Sequence, residues 1–172
     1  MSARVSPSLR VAGAACAVCA AVALSVALAG QGAAVRAELG FTFPAAPREL
    51  RAGAAIAAHN GRYAVAVVIA CLAVCWAPAL RPVFDTGLAA LLGFNATVIG
   101  LALGAYGPRL GRAIVLHGTL ELAGFALAGG AYLRARRGEL AHPQLARAAC
   151  LSALILCAAA LVEAWVAPGA RP

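Results

Sequence analysis

The sequence predicts an all-α, polytopic membrane helix bundle of about five transmembrane helices joined by short loops. Three observations predict it. Of the 172 residues, 63% are hydrophobic and only 12% are charged, with a mean hydropathy of +0.89; soluble domains are nearer half apolar and about a quarter charged. The apolar residues gather into runs of about 19 residues, long enough for a helix to cross about 30 Å of hydrocarbon. The charged residues fall mostly in the gaps between those runs.

The first run covers residues 11–29. Arg4 and Arg10 precede it, and Ala27, Leu28 and Ala29 resemble a signal-peptidase site. The run is longer than a usual signal-peptide core, so it reads as an uncleaved anchor in preference to a cleaved leader. The gap at 30–62 is the longest; Phe41, Thr42, Phe43, Pro44 and Pro47 break it. Within it, 48–60 is Ala-rich and reads either as a short interfacial helix or as a solvated loop.

The second run, 63–80, is bounded by Arg62 and Arg81, and the third, 86–107, is stopped by Pro108. The fourth, 113–133, carries His117 and Glu121, and the fifth, 148–167, carries Glu163. The later gaps are short, so consecutive helices are expected to be antiparallel neighbours. Trp76 and Trp165 near run ends suit interfacial anchors, and Pro78, Pro82, Pro108, Pro143 and Pro168 lie where they break no helix.

A net charge of +8 raises the question of nucleic acid. All fourteen basic residues are Arg, scattered through the gaps with no basic face and no interleaved aromatics, which excludes that partner. Counted with the N-terminus inside, the arginines divide seven to seven between the two sides. The dense cluster Arg134, Arg136, Arg137 and Arg147 decides for a cytoplasmic N-terminus in a multi-pass cell-membrane protein. The six cysteines lie in apolar runs and read as small hydrophobes; Cys16 and Cys19 match C-x-x-C only formally.

His117 and Glu121 are one helical turn apart and share a face. Ionisable groups at bilayer depth are costly, on the order of 3 kcal/mol each on insertion scales, and mark a protein interior or a wet cavity. Whichever way the chain is inserted, the starts of runs two and four and the end of run five share one side. At about 1.5 Å per residue, His117 lies about 7 Å below that surface, Glu121 about 13 Å and Glu163 about 6 Å. Asn60 sits at the mouth, and Asn95 lies about 18 Å down, near the midplane. The expectation is one buried polar site of His117, Glu121 and Glu163, with Asn95 below and Asn60 above. Such groups either fasten helices together or hold a ligand, ion or proton.

No catalytic, metal or cofactor site is expected. Helical zinc hydrolases need H-E-x-x-H, whereas run four holds one His. Ser152, Thr119, Cys150 and Cys157 lack an activating base. Gly100 and Gly104 form G-x-x-x-G, and Gly118 and Gly124 follow in run four. These small residues are read as helix-packing positions within the chain, with a homo-oligomer left open.

Four stretches together resemble a known family, stage II sporulation protein M. They are His59-Asn60; Phe94-Asn95 with Gly100; His117-Gly118-Thr119-Leu120-Glu121-Leu122; and Glu163-Ala164-Trp165-Val166-Ala167-Pro168. The resemblance implies a multi-pass membrane protein without enzymatic activity of its own. In endospore formers, that family member anchors a peptidoglycan-degrading complex. The expected partners are therefore the lipid bilayer and other membrane or envelope proteins, peptidoglycan hydrolases among them. The competing expectation is a small transporter or channel component that uses the buried His/Glu site.

Overall fold

A chain this rich in Ala and Leu forms helix wherever Pro or Gly does not stop it, and the computed structural model is all-helical across the residues it describes, 5–39 and 50–165. Six α-helices follow one another: α1 (Pro7–Leu28), α2 (Gly32–Leu39), α3 (Leu50–Trp76), α4 (Arg81–Tyr106), α5 (Pro108–Ala135) and α6 (His142–Trp165). A 3₁₀ turn at Pro78–Leu80 leads into α4. All but α2 are long and apolar enough to cross a membrane.

The spans fall where the apolar runs do, with longer ends. α1 starts earlier because the Ser6 hydroxyl caps it, accepting the Leu9 N–H at 3.3 Å, and Pro7 fills the first turn. The largest difference is at 50–62. These residues are neither a separate interfacial helix nor a loop; they are the first turns of α3. Gly53 admits the Trp165 ring, which would lie 2.8 Å from a Cβ at that position, so this stretch is packed against the end of α6. The Phe41–Pro47 breaks, Arg48 and residues 166–168 of the resemblance lie outside the described residues.

Consecutive helices are not all close neighbours. α5 and α6 pack along their lengths, but α4 touches α3 and α5 only briefly, and its main partner is α1. The cause is Gly100 and Gly104. A Cβ on Gly100 would lie 2.6 Å from the Cys19 carbonyl oxygen, and one on Gly104 would lie 2.7 Å from that of Ala23. Those two recesses let α1 lie parallel to α4 at backbone contact. On its other side α1 meets α5, where Val11 covers Gly129 and Ser8 covers Gly130. α1 is therefore a wedge between α4 and α5, which are joined by Gly107 alone, at φ +63°. Only glycine takes that conformation without strain.

The second half of the bundle is α3, α5 and α6. Tyr63, Val67, Ala70, Cys71 and Val74 of α3 meet Ala128, Tyr132 and Ala135 of α5, and Tyr63 packs edge-on to Phe125 with ring centroids 5.0 Å apart. Leu156 lies over Gly124, and the fully buried Ser152 donates its hydroxyl to the Gly124 carbonyl at 2.9 Å. That carbonyl keeps its own helical hydrogen bond if the hydroxyl goes, so Ser152→Ala is expected to cost only about 0.6 kcal/mol. Reversible unfolding in SDS checks it.

Candidate functional site: a polar cavity between three helices

α3 and α5 run in parallel from one membrane face, and α6 packs against both as it returns to that face. The parallel pairing sets Asn60 beside Glu121, and the Asn60 Nδ2 donates to Glu121 Oε1. The antiparallel return of α6 brings Glu163 within electrostatic reach of both His117 and Glu121. These side chains line a cavity of about 420 Å³, with His59 beside them and Ala55 and Ile56 as an apolar wall. The His117 Nδ1 is buried and has no hydrogen-bond partner among the described residues.

Four of the five expected polar residues thus meet: His117, Glu121, Glu163 and Asn60. Asn95 does not. It bonds back to the Leu91 carbonyl of its own helix at 2.8 Å, and α4 contributes nothing to the cavity lining. The wedge of α1 turns α4 to a different neighbour, and depth along a helix says nothing about which face a residue occupies. Gly100, Gly104 and Gly124 do sit at close helix crossings, but Gly118 does not: a Cβ there would meet only Ile114 of the same helix, at 3.9 Å.

Two features escaped the sequence reading of the site. His59 joins the cavity from α3, one position before Asn60. A second polar cluster lies at the opposite end of the bundle, where Tyr132 donates to Asp85 Oδ1 at 2.8 Å and Arg136 pairs with Asp85 Oδ2 at 2.8 Å. The signal was present: Asp85 is the only Asp in the chain, and it precedes the start of run three on the same side of the membrane as Arg136, which follows the end of run four.

The cavity offers two carboxylates, two imidazoles and an amide. Among the described residues its lining holds no hydroxyl, thiol or amine. Thr119 gives its hydroxyl to the Val115 and Leu116 carbonyls, and Ser152 is spent on Gly124. Among the described residues, no three His, Cys, Asp or Glu side chains converge as a metal would require. Compared with known proteins, the chain matches no family model, no curated protein and no solved structure. The five membrane-length apolar helices make it a multi-pass membrane protein by length and composition.

Proposed function

We propose that this chain is a non-enzymatic membrane scaffold that positions cell-envelope machinery, as its resemblance to stage II sporulation protein M implies. One observation carries the reading. His59-Asn60, His117 with Glu121, and Glu163 come from three separate stretches that carry the resemblance, and all line one cavity. The proposed partners are envelope proteins, peptidoglycan hydrolases among them, and the basic cluster about Arg134 and Arg137 favours a cytoplasmic N-terminus. In that orientation the cavity belongs to the outer half of the membrane.

Affinity purification of the tagged chain from native membranes in mild detergent tests this. The wild type is expected to bring down envelope hydrolases or other membrane proteins. The paired change His117→Ala with Glu121→Ala is expected to lose them while keeping a monodisperse elution profile. A wild type that elutes folded and alone sinks the scaffold reading. The second reading, a small transport component, is favoured by the presence of carboxylates in a membrane cavity; flux of protons or solutes into liposomes is its readout.

A further inference from the structure

Among the described residues no arginine lines the cavity, although the protein carries a net charge of +8. Its two carboxylates are answered only in part. Glu121 receives the neutral amide of Asn60, and Glu163 has no hydrogen bond or ion pair among the described residues. Carboxylates at this depth are costly unless a positive partner joins them.

The space is too large for a bare ion. About 420 Å³ falls in the size range of small-molecule pockets. Ala55 and Ile56 give it an apolar wall, with His117 and Asn60 beside the carboxylates. An ammonium group carries three donors. Glu121 and Glu163 supply carboxylate oxygens from two helices to accept from those donors, and the apolar wall leaves room for a short stem.

We propose that the cavity between α3, α5 and α6 binds a small organic cation, a primary ammonium on a short apolar stem. The inference stands apart from the scaffold reading, since a partner can dock whether or not the cavity is filled. Two sources share this chemistry: a free amine from the aqueous side and the amine headgroup of phosphatidylethanolamine. The cavity lies near a membrane face, within reach of both.

The test uses the full chain in phosphatidylglycerol nanodiscs. The chain has two Trp, so Trp76→Phe leaves Trp165, which packs on Gly53 two positions from Ala55, as the single reporter. Butylammonium is expected to shift Trp165 emission saturably and to give matching calorimetric binding; 1-butanol at the same concentration is expected to give neither. Glu163→Gln is expected to weaken butylammonium roughly tenfold or more. The butylammonium and butanol comparison needs no change in the acids, so a variant that misfolds does not blunt it. If phosphatidylethanolamine in the discs lowers the apparent affinity for butylammonium, the lipid headgroup is the occupant; if both discs behave alike, the free amine is. No saturable binding by either readout, butanol binding as well as butylammonium, or a folded Glu163→Gln that binds like wild type overturns the proposal. Copurification of envelope proteins is a separate readout, so either idea can fail alone.

Discussion

The double substitution Gly100→Ala with Gly104→Ala is expected to destabilise the bundle by about 2–4 kcal/mol, although each change alone favours helix formation. The reason is backbone against backbone. The new methyl groups would lie 2.6 Å from the Cys19 oxygen and 2.7 Å from the Ala23 oxygen. Neither oxygen is the free end of a side chain, so α1 as a whole must move off α4. Once α1 shifts, Val11 and Ser8 also lose their seats on Gly129 and Gly130. Gly118→Ala is the internal control, because its methyl group would meet nothing nearer than 3.9 Å. Reversible SDS unfolding followed by far-UV circular dichroism reads all three proteins. A double variant as stable as Gly118→Ala would show that α1 is not held by the glycine recesses.

The second large effect is expected at the opposite end of the bundle. Asp85 accepts from Tyr132 with one carboxylate oxygen and pairs with Arg136 through the other. It ties α4 to α5 where those helices otherwise barely meet. Asp85→Ala removes both interactions at once and strands the Tyr132 hydroxyl among the buried residues of α3. The pair is partly open to solvent, with Asp85 32% and Arg136 40% exposed, so the ionic part is discounted. About 1–2 kcal/mol remains, most of it from the tyrosine hydrogen bond. Arg136→Ala is expected to cost less, because Asp85 keeps Tyr132. If the ordering is reversed, with Arg136→Ala the worse of the two, the ion pair rather than the hydrogen bond carries the junction.

The number and kind of membrane spans were legible because they depend on composition along the chain, and a run of lipid-soluble residues has no other stable home in a bilayer. The cavity was legible for a related reason. Rise per residue fixes depth, and depth brings His117, Glu121, Glu163 and Asn60 into the same half of the bilayer. Asn95 fails on the angle about the helix axis. Ala96, Gly100 and Gly104 recur every fourth residue and define the face turned to α1, and Asn95 lies about 100° around from Ala96. Nothing short of knowing that α1 occupies that face could have sent Asn95 elsewhere. The extension of α3 back to Leu50 was hidden by Arg51 and Arg62, which end the apolar run without ending the helix. Gly118 shows the converse: a small residue creates a crossing only where a neighbour arrives to use it.

The wedge has a consequence for how the protein is made. α1 is synthesised first, yet its seats are on α4 and α5, which follow only after α2 and α3. It must therefore wait in lipid with no partner, and it is the most apolar of the five spans. α5 is the least apolar, carrying His117 and Glu121, but it emerges after α3 has already set Asn60 in place. The greasiest helix bears the longest solitude, and the most polar one arrives to find a companion waiting.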